Sequence, residues 1–168
     1  VTPNPGYTGD LSFPYEVTTP LGTKVTATIT ITVMDAVDDI KETLLDTPVT
    51  YNPLANDLAI PTGSTITAIN GTPVVIGTPI TIPNGTVTVN ADGTVTVTPN
   101  PGYTGTITFP YEVTTPLGTK VSATDTITVM DAVDDIKETL IDTPITYNPL
   151  ANDLAIPTGS TITAINGT

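Results

Sequence analysis

The chain has 168 residues, a formal net charge of −13, and no cysteine, histidine or tryptophan. With four lysines and no arginine it offers no basic surface for phosphate groups, which disfavours nucleic-acid binding and docking on anionic membranes. No cysteine means no disulfide and no thiolate metal site. No apolar run approaches a membrane span, so we expect no membrane insertion within these residues.

The sequence repeats with a period of 96 residues. Residues 1–72 and 97–168 are identical at 65 of 72 positions. A period this long fits one complete small β-domain rather than one turn of a solenoid. We therefore predict that residues 1–35 are the C-terminal part of one repeat, 36–131 a complete repeat, and 132–168 the N-terminal part of the next.

The complete repeat begins with short apolar segments. Segments around 39–45, 48–51, 64–69 and 74–82 have the β-branched content of strands, and proline-, glycine- and asparagine-rich stretches separate them. Threonine supplies 39 residues of the chain, and proline plus glycine another 30. This composition is typical of an all-β protein with many turns.

Two hairpins follow within residues 85–130. In the first, TVTVNADGTVTV, pairing Val89 with Val95 leaves a three-residue loop whose last residue is Gly93. In the second, TITFPYEVTTPLGTKVSATDTITV, the alternation pairs Val113 with Val121 around a loop with proline early and glycine last. These registers predict a meander of about four strands, with one apolar face and one threonine face.

Seven or eight antiparallel strands in 96 residues predict an Ig-like antiparallel β-sandwich with Greek-key or meander connections. One residue departs from the pattern. Asp125 has a core position, roughly opposite Phe109, where the other copy has Ile29. Because a buried unpaired carboxylate is costly, we expect a bulge or a strand edge at Asp125.

Three motifs recur in order within the repeat: AVDD, then PLAND, then TPNPGYTGTITFPYEVTT leading to ATDTITV. They resemble the Ig-like and cadherin-like tandem repeats of large bacterial surface adhesins, including streptococcal fibril-type repeats and the gliding adhesins of Bacteroidota. The matching elements are Asp38–Asp39, then Leu54, Asn56 and Asp57, then Pro101 through Val113. The chain departs from the family where Thr114–Thr115 replace its usual aspartate, which puts in doubt any ion site that depends on that residue.

The resemblance implies an extracellular repeat, on the bacterial cell surface or secreted, that spaces or presents an adhesive tip. Its partners would be the neighbouring repeats of the same chain and other copies of the protein. We expect targeting information to lie outside these 168 residues.

The acidic stretch MDAVDDIKET lies at the predicted seam between repeats. A loop carrying NPLAND could fold back to the same end, and oxygen ligands with carboxylates suit Ca²⁺. The candidate calcium ligands at the two seams are Asp35, Asp38, Asp39, Asn56, Asp57, Asp131, Asp134, Asp135, Asn152 and Asp153. The alternative is that these acids are solvated and keep the repeats apart and soluble. The acids lack the cleft and the histidine, cysteine or paired serine–base expected of a catalytic site, so we predict no enzyme activity and no other cofactor.

The function predicted from the sequence is a structural spacer, in which β-sandwich modules stack into the stalk of a long bacterial adhesin. Two alternatives stay open. Each repeat could bind a glycan or a receptor itself, or the modules could assemble laterally into a filament or sheath.

Overall fold

The computed structural model describes residues 1–165. It is built from strands, with one short 3₁₀ turn at Pro53–Ala55. Within the described residues, no helix has the length and apolar character needed to cross a bilayer. The strands are β1 Gly9–Thr18, β2 Lys24–Val33, β3 Asp39–Leu44, β4 Val49–Tyr51, β5 Thr65–Ile69, β6 Thr72–Pro73, β7 Ile80–Ile82, β8 Gly85–Val89, β9 Val95–Pro99, β10 Gly105–Thr114 and β11 Lys120–Met130.

Two sheets face each other and form the predicted Ig-like sandwich. One sheet has the order β3-β11-β10-β5-β6 and the other the order β4-β9-β8-β7. Every other residue of the central strands points into the space between them, as the alternation of apolar residues predicts. The buried core consists of Ile66, Ile69, Ile80, Ile82, Val87, Val89, Val95, Val97, Ile107, Phe109, Tyr111, Val113, Ala123, Ile127 and Val129.

Both predicted hairpin registers are confirmed. Val89 pairs with Val95, and Val113 pairs with Val121. The loop glycines have the left-handed conformation that these turns require, with φ of 85° at Gly93 and 82° at another loop glycine, Gly118.

The two hairpins do not form one meander, which corrects the prediction. β8 and β9 belong to the four-stranded sheet, whereas β10 and β11 belong to the five-stranded sheet. The chain crosses between the sheets over residues 100–104. Pro101 has no amide hydrogen to donate to a strand there, and the amide of Tyr103 closes a turn by donating to the carbonyl of Asn100 at 3.0 Å. Alternation fixes which face a residue occupies, but not which sheet a hairpin joins.

Two further details differ from the prediction. The pairing of β3 with β11 is parallel, not antiparallel, because the first strand of the module runs alongside the last. Of the predicted strand at 74–82, only Ile80–Ile82 forms a strand. Pro79 and Gly77, with φ of 75°, interrupt the segment before it.

The hairpin β1–β2 has the register of β10–β11 shifted by 96 residues, but it is not covered by a second sheet. Tyr15 is 45% exposed where its counterpart Tyr111 is 1% exposed, and Val17 is 47% exposed where Val113 is fully buried. At the other end, the structure has no strand within residues 132–165, although their sequence nearly matches that of β3, β4 and β5. These strands form through pairing with β9, β10 and β11, not through local propensity alone.

Candidate functional site at the repeat junction

The linker between β2 and β3 is held by a loop of the following sandwich. We call residues 34–38 the linker and residues 52–58 the clamp loop. Asp35 and Leu58 form an isolated antiparallel bridge. The amide of Asp35 donates to the carbonyl of Leu58 at 3.0 Å, and the amide of Leu58 donates back at 2.9 Å. The linker is therefore hydrogen-bonded to the clamp loop through its backbone instead of lying free in solvent.

Side chains of the clamp loop complete this grip. The carboxylate of Asp57 accepts the amide of Val37 at 2.7 Å. The amide group of Asn56 donates to the carbonyls of Val37, at 3.3 Å, and Asp38, at 3.1 Å. Backbone donors and acceptors of the linker are thus satisfied by the two polar residues of the PLAND motif.

The clamp loop is itself anchored to the core. Asn52 caps the 3₁₀ turn by accepting the amide of Leu54 at 3.0 Å, and Pro53, at the start of that turn, is buried. The hydroxyl of Tyr111, in the centre of β10, donates to the carbonyl of Pro53 at 3.3 Å. It also contacts the Asp57 carboxylate at 3.4 Å. The linker is consequently connected through this loop to the central strands of the sandwich.

The same hydrogen bonds recur at the second junction. Asp131 and Leu154 form the bridge, at 3.0 and 2.9 Å. Asp153 accepts the amide of Val133 at 2.7 Å, and Asn152 donates to the carbonyls of Val133 and Asp134, both at 3.2 Å. Because this happens where residues 132–165 form no sheet, the grip is a local property of the linker and clamp loop.

The candidate calcium ligands separate into different roles. Asp57, Asn56 and Asp35 meet at the junction. Asp38 accepts the amide of Thr124 at 2.8 Å and so holds β11. Asp39 is buried and pairs with Lys41, 3.2 Å away. Among the described residues, no three histidine, cysteine, aspartate or glutamate side chains converge in a group able to hold a metal ion.

The environment of Asp57 perturbs its carboxyl group. Burial raises its pKa above the ordinary value, and the charges of Asp39 and Asp35 raise it further, while the hydrogen bonds from Val37 and Tyr111 act in the opposite direction. Its second carboxylate oxygen is buried without a hydrogen-bond partner. The junction therefore keeps one buried carboxylate oxygen without a hydrogen-bond partner.

Asp125 forms a second polar cluster inside the sandwich. It is fully buried and lies directly opposite Phe109 on one side and Asp39 on the other. The expected bulge or strand edge is wrong, since β11 runs regularly between β3 and β10. The hydroxyl of Tyr51, on the other sheet, donates to Asp125 at 2.7 Å. This partner lies 74 residues away in sequence, so alternation could not identify it.

A match to a protein family agrees with this architecture. Residues 33–130 match the family described as bacterial Ig domain. A solved structure, the Bacteroides ovatus mixed-linkage glucan utilization locus protein SGBP-B in complex with mixed-linkage heptasaccharide, is similar at 15% sequence identity with a TM-score of 0.25. The match covers 84% of this chain, which spans only 36% of that one.

Among curated proteins, no sequence matches the chain. Bacterial Ig domains are common in surface proteins, and the Ig-like domain family is typically non-catalytic. The family match covers more than half of the sequence, the whole of the two-sheet sandwich and the linker before it. The chain belongs to the bacterial Ig domain family.

Proposed function

We propose that the chain is a spacer: residues 36–131 are the repeating unit of a stalk, and the clamped linker makes each joint stiff. The observation that carries this proposal is the set of hydrogen bonds between the linker and the clamp loop. The same backbone bridge and the same aspartate and asparagine hydrogen bonds occur at both junctions. A linker that only tethered two modules would not need its backbone groups bonded by the next module.

The dimensions of the module suit a rod. β10 has ten residues, which at roughly 3.3 Å per residue gives a module about 33 Å tall. A stalk needs solubility more than a ligand site, and the net charge of −13 provides repulsion between chains. We assign the stalk to the outside of a bacterial cell or to a secreted protein, and we propose no enzyme activity for it.

Ligand binding by each repeat has less support. Glycan sites are usually lined by exposed aromatic rings, and the tyrosines of the complete repeat are used elsewhere. Tyr111 is buried in the core, and Tyr51 and Tyr103 pack against it. The ring of Tyr51 also lies under the amine of Lys41, at 5.1 Å.

Lateral assembly is favoured by one observation. β3 is the edge of the five-stranded sheet, and Ile40 and Leu44 on it are 76% and 62% exposed. In antiparallel pairing of two β3 edges, the register centred on residue 42 would bring Glu42 opposite Glu42, and the register centred on residue 41 would bring Lys41 opposite Lys41. Like charges directly opposite are destabilising, which disfavours these two registers. We rank a filament of laterally paired chains below the spacer, because its support is limited to this exposed edge.

A distance measurement tests the stiff joint. The chain has no cysteine, so Thr18→Cys on β1 and Thr81→Cys on β7, both exposed, can carry two spin labels. We expect a narrow distance distribution between the hairpin β1–β2 and the sandwich. Asn56→Ala should broaden it, because two hydrogen bonds to the linker are lost.

The matched control is Asn152→Ala, which removes the equivalent bonds at the second junction and should leave the distribution unchanged. A broad distribution in the unmodified chain would refute the stiff joint. Equal broadening by both variants would show that Asn56 does not act through the linker.

Calcium at the junction is a separate proposal. Its support is the buried, unpartnered oxygen of Asp57 and the charge of Asp35, which acts on the Asp57 carboxyl and raises its pKa. A bound ion would raise the melting temperature of the chain in millimolar Ca²⁺ over that in chelator by several degrees. Asp57→Asn should abolish the increase in melting temperature that Ca²⁺ binding at the first junction causes. Asp153→Asn, at the second junction, should leave that increase unchanged. Identical melting with Ca²⁺ and with chelator would exclude the site.

A further inference from the structure

The carboxylates of Asp39 and Asp125 are neighbours in the parallel pairing of the first and last strands of the sandwich. They occupy the same register position, and their residues are only 3% and 0% exposed. β3 and β11 close the module, since one enters it and the other leaves it. Attraction or repulsion between these two side chains therefore stabilises or destabilises the pairing of β3 with β11.

The hydrogen bonds of the pair are incomplete. Asp125 receives the Tyr51 hydroxyl on one oxygen, at 2.7 Å, and Asp39 has Lys41 at 3.2 Å from one oxygen. The other oxygen of each carboxylate is buried without a partner. Two buried acceptors facing each other cannot satisfy one another unless a proton lies between them.

The charges lead to the same requirement. The cluster contains two carboxylates and one ammonium group, so full ionisation would leave a buried negative charge without a counter-ion. We propose that Asp39 and Asp125 share one proton in the folded protein, and that this proton makes the closure of β3 on β11 sensitive to pH in the neutral range. The proposal concerns the stability of one module and stands independently of the spacer function.

The surroundings of Asp125 support a retained proton. The groups that face it are Asp39 and Lys41 from β3, Tyr51 from β4 and Tyr111 from β10, with Asp57 beyond Tyr111. Burial raises the pKa of Asp125 to about 7. The Tyr51 hydrogen bond and the charge of Lys41 lower it, and the charge of Asp39 and its hydrogen bond raise it. The pKa of Tyr51 is raised by burial and by Asp125, so Tyr51 remains a neutral donor throughout this range.

The copy of the repeat over residues 1–35 carries a different residue at this position. In place of Asp125 it has Ile29, which cannot hold a proton, while the rest of the strand differs only at residue 26. Asp39, Lys41 and Tyr51 recur as Asp135, Lys137 and Tyr147 in a third copy, the partial repeat over residues 132–168. A module with isoleucine at this position would lack the shared proton and the pH dependence that follows from it.

The direction of the effect follows from the folded and unfolded pKa values. The unfolded chain has an ordinary aspartate pKa of about 3.9 at this position, and the folded chain a raised one of about 7. The folded state therefore binds more protons between these values, and its stability falls as pH rises through this window. Above the folded pKa the dependence ends.

Urea unfolding of the 168-residue chain at pH 5, 6, 7 and 8 tests the proposal against Asp125→Ile, the residue that the other copy carries. Relative to this variant, the folding equilibrium constant of the unmodified chain should fall on the order of a hundredfold between pH 5 and pH 8. Taking the ratio cancels the other titrating groups. An unchanged ratio across this range would overturn the proposal.

Two further measurements keep the test decisive. Ile29→Asp places the same carboxylate in the uncovered hairpin, where the residue is 40% exposed, and should leave the pH dependence as it is. Carbon-13 NMR of the side-chain carboxyls needs no variant: the signal of Asp125 should shift in a step near neutral pH. Titration of Asp125 below pH 5 would refute the shared proton, even if Asp125→Ile did not fold.

Discussion

Replacing Phe109 with alanine should lower the free energy of unfolding of the sandwich by about 3–5 kcal/mol. The side chain is completely buried at the centre of β10, between β11 and the strands of the opposite sheet. Removing the ring loses its burial and leaves a cavity that two hydrogen-bonded sheets cannot close by collapse. Urea unfolding at a fixed pH measures the change.

Phe13→Ala is the matched control, because it makes the same substitution at the equivalent position of β1. That hairpin has no second sheet over its apolar face, and Phe13 remains partly exposed. The control should change the unfolding of the sandwich by less than about 1 kcal/mol. Equal losses for the two variants would contradict the distinction between a covered and an uncovered hairpin.

The parts of the fold that the sequence predicted are those determined by local pattern. Alternation of valine and threonine fixed the inward face of each strand, and loop chemistry fixed the registers around Gly93 and Gly118. The assignment of β8–β9 and β10–β11 to different sheets depends on contacts far apart in sequence. So does the parallel pairing of β3, whose six residues carry no sign of their partner.

The sequence predicts a junction at the acidic stretch but does not reveal its hydrogen bonds. The predicted position of the seam rests on the 96-residue period of the sequence alone. The use of Asp57 and Asn56 as acceptor and donor for the linker backbone requires the loop to fold back over 20 residues of sequence. A cluster of carboxylates in the sequence suggests a metal site. In the folded chain, however, carboxylate oxygens of Asp57 and Asp38 already accept backbone amide hydrogens.

The equivalent segments 36–69 and 132–165 show which features of the structure local sequence determines. They differ only at positions 45 and 49 of the first copy, and both form the clamp hydrogen bonds. Only the first forms strands. Hydrogen bonds between residues close in sequence therefore hold the linker against the clamp loop. Formation of the sheets requires pairing with β9, β10 and β11, which lie far away in sequence.

Asp57→Ala should destabilise the sandwich by about 1–3 kcal/mol, because it leaves the amide of Val37 without its acceptor. It also removes one contact of the Tyr111 hydroxyl, which keeps the carbonyl of Pro53 as an acceptor. The loss should be smaller at neutral pH than in mild acid. Burial raises the pKa of the Asp57 carboxyl, so its ionised form is already disfavoured in the folded state and contributes less there. Urea unfolding of the chain at pH 5 and pH 7 measures both effects.

Two variants separate the clamp from a general loss of charge. Asp57→Asn keeps an oxygen acceptor for Val37 and should retain most of the stability. Asp153→Ala removes the identical bond at the second junction, at 2.7 Å in both, but residues 132–165 contribute no strand to the sandwich, so its stability should not change. If Asp153→Ala were as costly as Asp57→Ala, the clamp would not act through Tyr111 and the core. If Asp57→Ala cost nothing, the linker would be held by the Asp35–Leu58 bridge alone.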